Sequence, residues 1–159
     1  MISLKRTVVI ASVLIAAVYT PIASSTVVFV ADIGDGPTQT GFSAFPLGFG
    51  SSGTGPITHS FGSTMLTIDA TVDHQLEHRD RGVLGALGTF TQSDLLRDFA
   101  VSKDGNSQRA LTATISGLSA GSFYEVSIWS YDPFALTSFL TSWTANGSTV
   151  KSGYSQNHG

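Results

Sequence analysis

Arg79, Asp80, Arg81, Asp94, Arg97 and Asp98 crowd into one short stretch of a sequence that is only 12% charged. Asp69, Asp73 and Glu77 lie just upstream. Two kinds of chemistry call for such a set. Arginine forks paired with carboxylates can pin an irregular segment against a sheet. The same groups left open can hydrogen-bond a ligand. Ion-pair networks are more often structural than functional, so pinning is the expectation, with Arg81 or Arg97 partly buried. A glycosidase's carboxylate pair could be drawn from Asp80, Asp94 and Asp98. The neighbouring arginines would lower those carboxyls, which is the wrong direction for a general acid.

Metal chemistry has two candidate sets. His74 and His78 are four apart, with Asp73, Glu77 and Asp80 nearby. On a helix that spacing presents two imidazoles on one face, as zinc requires. The segment instead follows a strand pattern and precedes Arg-Asp-Arg-Gly, so solvated loop histidines are expected. Calcium needs a cage of oxygens, and Asp32, Asp35 and Asp132 could contribute if their strand ends meet. No EF-hand spacing is present, so no cofactor is expected and structural calcium is supported by no motif. Asp32-Ile33-Gly34-Asp35-Gly36 is like the Gly-Asp-Ser block of one esterase class, but Gly36 stands where that block has its nucleophile. With no catalytic motif recognised, the chain is expected not to be an enzyme.

The elements that must position these groups are strands. Thr26–Ile33 is rich in β-branched residues and runs into the turn Gly34-Asp35-Gly36-Pro37. Ile57–Phe61 is a short strand. Leu66, Ile68, Ala70 and Val72 alternate with polar residues across Thr64–Val72. Asp98–Ser102, Leu111–Ile115, Phe123–Tyr131, Phe139–Ala145 and Thr149–Lys151 complete the set. Asn146-Gly147 is a favoured two-residue hairpin turn. Ser93 can cap a single helical turn through Leu96, with Asp94 at its start. Pro46–Pro56 reads as a Gly/Ser-rich surface loop, and Ser152–Gly159 shows no strand pattern. About eight short strands between turn signals predict an all-β antiparallel sandwich.

The first 25 residues read as a secretory signal peptide. Lys5 and Arg6 precede the short apolar run Thr7–Val18, then Pro21 and the small residues Ala23-Ser24-Ser25. Cleavage after Ser25 would leave one domain, Thr26–Gly159, secreted or extracytoplasmic. Losing those two basic residues takes the formal charge from −3 to −5. An acidic domain lacks the basic footprint of a nucleic-acid or membrane-surface protein, so neither is an expected partner. With no cysteine, the domain must fold on its hydrophobic core alone.

VADIGDGPTQTGFSAF, HRDRG, SDLLRDFAVS and LTATISGLSAGSFYEVSIWSYDP together resemble a family of bacterial secreted domains similar to galactose-binding-like jelly rolls. The resemblance spans most of Val30–Gly147. It implies a jelly-roll fold and a non-catalytic, carbohydrate-binding-like accessory role beside glycan-active modules. It also implies one or two closing strands after Asn146-Gly147, where this chain soon ends. The alternatives are a structural or interaction sandwich with no sugar site, or the front part of a longer glycan-active enzyme. For sugar binding the expected residues are Asp80, Arg81, Tyr131, Asp132 and Phe134. An aromatic floor would stack on a pyranose while Asp and Arg bond its hydroxyls, holding a glycan weakly. That site requires Asp80 or Arg81 to share a rim with Asp132.

Overall fold

The computed structural model describes residues 2–5, 12–18, 26–48, 52–71, 75–82, 93–102, 110–132, 134 and 140–155. At 2–5, 12–18, 26, 52 and 93 it describes the backbone alone. The protein is all-β. In order the strands are β1 (Ile2–Lys5), β2 (Ser12–Val18), β3 (Thr26–Ile33), β4 (Ser43–Phe45), β5 (Ser52–Thr54), β6 (Ile57–Phe61), β7 (Thr64–Ala70), β8 (Gln75–Asp80), β9 (Asp98–Ser102), β10 (Leu111–Ser116), β11 (Phe123–Trp129), β12 (Leu140–Ala145) and β13 (Ser148–Ser155). A 3-10 turn, Ser93–Leu96, falls where one capped turn was expected, with Asp94 in its first turn.

The strands form three sheets, ordered β13-β12-β1-β10-β7-β6, β11-β2-β3-β4 and β5-β8-β9. Every pairing is antiparallel except β3 with β4. One core cluster draws on all three sheets: Phe29, Ala31 and Ile33 of β3, Leu66 and Ile68 of β7, Leu76 of β8, Ala100 of β9, Leu111 of β10 and Trp143 of β12. Strand β7 shows why. Leu66, Ile68 and Ala70 are fully buried, Thr67 and Asp69 between them are half-buried, and Met65 before them is exposed. Strand β10 runs beside it with Ala113 opposite Ile68 and Ile115 opposite Leu66, so the buried faces coincide. Burying a Leu or Ile side chain is worth roughly 1.5–3 kcal/mol.

Two turns fix the hairpins that matter most. Asn146 and Gly147 both have positive φ, 48° and 82°, the requirement of the expected tight turn between β12 and β13. Gly117, after β10, has φ 79°, and a methyl group there would run into the Ser63 carbonyl. Backbone from the β6–β7 hairpin thus packs directly on the β10–β11 turn.

The structure corrects the strand count of about eight. Strand β8 replaces the expected loop around His78. Its sequence, QLEHRD, buries only Leu76 and so lacks an apolar alternation to read. Strand β5 lies within the expected Pro46–Pro56 loop. Strand β13 carries on to Ser155 because the turn hands it to β12, although most of it is exposed. The stretch expected as a leader supplies β1, between β12 and β10, and β2, between β11 and β3.

Candidate functional site

The charged stretch is organised by the antiparallel pair β8–β9, which sets Asp80 opposite Asp98 and His78 opposite Ala100. Two carboxylates facing each other would repel, and each is turned to a separate partner. Asp80 accepts the guanidinium fork of Arg97, at 3.2 Å from Nε and 3.1 Å from Nη2, and the Gly82 amide at 2.6 Å. The hydrogen bond from Arg97 holds the Asp80 carboxyl below the usual carboxylate range and raises the arginine in turn. That direction matches the expectation that nearby arginines disqualify Asp80 as a general acid. The Arg81 amide donates to the Arg97 carbonyl at 2.7 Å, tying the end of β8 to the turn that leads into β9.

Asp98 faces the interior at 1% exposure. Its Oδ2 accepts the Gly36 amide at 2.6 Å and lies 3.0 Å from His78 Nε2. His78 is only 10% exposed at its side chain, so the expectation of a solvated loop histidine is wrong for it: β8 turns the ring inward onto a buried carboxylate. His74 lies outside the described residues. Gly34 and Gly36 are glycines because of this carboxylate. A methyl group at Gly34 would overlap Asp98, and one at Gly36 would crowd it.

The two aspartates before that loop also serve backbone amides. Asp35 Oδ1 accepts from Leu47 at 2.6 Å and from Gly48 at 2.9 Å. Asp32 Oδ2 accepts from Gln39 at 2.7 Å, but its Oδ1 is buried without a partner. Burial pushes the Asp32 carboxyl up to about 6, against the lowering effect of the Gln39 bond and with smaller raising contributions from Asp98 and Asp94. A carboxyl titrating there could exchange protons near neutral pH. At 4% exposure it does not reach a substrate. Among the described residues no group of three or more His, Asp or Glu could hold a metal ion. Asp32 and Asp35 cap a loop, while Asp132 is bound to an arginine.

That arginine is Arg81. Its Nε and Nη2 donate to the two oxygens of Asp132 at 3.1 and 2.8 Å. Asp132 Oδ1 also accepts the Phe134 amide at 3.0 Å. The guanidinium carbon lies 5.7 Å from the Phe99 ring centre and 5.2 Å from that of Phe134, within cation–π range of both. Of the five residues expected for a sugar site, Arg81, Asp132 and Phe134 are in direct contact. Asp80 adjoins Arg81 at the end of β8, and half-buried Tyr131 adjoins Asp132. The expected site needed Asp80 or Arg81 beside Asp132, and Arg81 is in contact with it. The partner chosen by Arg81 is not within the charged stretch itself but 51 residues on.

Gly117-Leu118-Ser119-Ala120-Gly121 also has the Gly-x-Ser-x-Gly spacing of a hydrolase nucleophile. A nucleophile elbow joins a strand to a helix, whereas this turn joins β10 to β11. The Ser119 amide donates to the Tyr124 hydroxyl at 2.8 Å, and the Ser122 amide to the Ser119 carbonyl at 3.4 Å. The motif is a tight turn between strands.

No family model, no curated protein and no solved structure matches this chain. No helix among the described residues is long and apolar enough to cross a membrane.

Proposed function

We propose that this chain is a non-catalytic β-sandwich module of an exported protein, serving a structural or interaction role. The observation that carries this reading is the Arg81–Asp132 pair. Asp132 accepts three hydrogen bonds, and the guanidinium lies against two phenyl rings. Those groups are spent on joining β8 to the segment after β11, which leaves them little capacity for a ligand. A glycan array and thermal melts of wild type and Arg81→Ala test it together. The expected result is no glycan signal and a lowered melting temperature in the variant. A glycan bound by wild type and lost in Asp132→Ala without loss of fold would overturn it.

A second reading, weak carbohydrate recognition, is favoured by the outer part of the same rim. Phe134 is 68% exposed, and the Asp80 side chain is 39% exposed beside Arg97. An exposed phenyl ring can stack on the apolar face of a sugar and an exposed carboxylate can bond its hydroxyls, as the resemblance to galactose-binding-like domains implies. A shallow site buries little of its ligand, so affinities of roughly micromolar to millimolar are expected. Loss of binding in Phe134→Ala, with the melt unchanged, would place the sugar on this ring.

Export rests on Lys5, Arg6, the apolar run and Ala23-Ser24-Ser25. Mass spectrometry of secreted protein should find an N-terminus within a few residues of Thr26. An intact Met1 would exclude cleavage. Cleavage would also withdraw β1 and β2 from inner positions of two sheets, so leader-bearing and cleaved protein should differ in stability.

A further inference from the structure

Strand β11 is the outermost strand of its sheet. Strand β2 pairs with one side of it, and no described strand pairs with the other. Natural edges are guarded by lysine, proline, a bulge or brevity. Strand β11 has seven residues in unbroken register with β2, without Lys or Pro and with a single charge, Glu125. Beside it an open cleft of about 530 Å³ separates β11 from β12 and β13 of the six-stranded sheet, whose own edge is β13. Phe123, Val126 and Val150 line this cleft at 79%, 36% and 65% exposure. Apolar surface gathered between two sheet edges that no described strand covers is the form of an association site.

We propose that, in the leader-bearing chain that still holds β2, β11 pairs antiparallel with β11 of a second copy, joining the two four-stranded sheets into one and closing the cleft in both. The sequence of the strand selects its own copy as partner. A two-fold axis through the sheet keeps each side chain on its face, so residues opposite one another share parity and the axis passes through a residue. An axis through Glu125 would set two carboxylates face to face. An axis through Val126 pairs the whole strand: Phe123 with Trp129, Tyr124 with Ile128, Glu125 with Ser127. That register opposes no like charges and places aromatic pairs at both ends. An axis through Ser127 shortens the match and sets Glu125 against Trp129.

Sedimentation of the full-length chain tests this. Wild type should sediment as a dimer that dissociates on dilution. Ser127→Glu sets carboxylates opposite Glu125 twice per dimer and should weaken association at least tenfold. Adding Glu125→Lys to that variant turns both repulsions into attractions and should restore the dimer. The chain has no cysteine, so Val126→Cys should give a disulfide-linked dimer on mild oxidation, independently of charge. A wild type that stays monomeric at its highest soluble concentration overturns the proposal. So does a Ser127→Glu dimer as tight as wild type, a failure of the double variant to restore it, or no cross-link through Val126→Cys.

Discussion

The charged rim and the β11 edge use their residues in opposite ways. At the rim, Arg81, Asp98, Asp32 and Asp35 face inward or along the chain and are bonded to backbone amides, a histidine and a carboxylate. At the edge, Phe123 and Val150 are left outside while the cleft behind them is open. At the rim most of the charge is an internal fastening, and at the edge apolar surface faces solvent. A buried carboxylate is tolerable only with partners, so every element of the rim is committed by its neighbour. An edge strand carries no such obligation. Stability should therefore be concentrated at the rim and nearly indifferent to the edge.

Removing one side of the most buried arginine–carboxylate pair among the described residues tests that contrast hardest. Arg81→Ala leaves the Asp132 carboxylate, 6% exposed at its side chain, without its fork. The expected loss is about 3 kcal/mol by denaturant unfolding, and Arg81→Lys should recover little because an ammonium cannot span both oxygens. An unchanged midpoint in Arg81→Ala would mean the rim is not a fastening.

Gly34→Ala should come next, costing about 1–3 kcal/mol by driving a methyl group into Asp98. In an Asp98→Ala background the same substitution should cost much less. Equal costs in both backgrounds would place the obstacle elsewhere.

The pH dependence of stability isolates Asp32. Its folded carboxyl sits at about 6 against an ordinary 3.8. Between those values the folded state holds more protons than the unfolded one, so this group's contribution falls as pH rises from about 4 to about 6 and is flat above. Asp32→Asn should remove that slope from melts across the interval. A slope that survives must come from another group.

The smallest effects should come from exposed positions. Arg97→Ala breaks a solvent-screened fork to Asp80 and should leave the melting temperature nearly unchanged, which separates it from Arg81→Ala. At the edge, Phe123→Ser should change the stability of dilute protein by about 0.5 kcal/mol or less. A larger loss there would show that the edge belongs to the folded core.

The sequence by itself determined the all-β class, because β7 and β10 carry period-two burial and Asn146-Gly147 admits the backbone of a tight turn. It determined the helical turn at Ser93–Leu96 through its cap. It also grouped Arg81, Asp132 and Phe134 in one candidate site, from residue type and from the expected meeting of two strand ends. It misread β8, whose stability comes from two flanking strands rather than from any apolar face of its own. It misread His78, whose burial depends on a loop 43 residues away in the chain. It read Ser116–Gly121 as a turn, and that stretch does join β10 to β11. Only the tertiary structure decided what the charges do. Hydrogen-bond partners are set by distance in space, and the decisive ones here, Gly36 with Asp98 and Arg81 with Asp132, are 62 and 51 residues apart. A carboxylate's type says that it must be satisfied; where its donor comes from is a property of how the sheets meet.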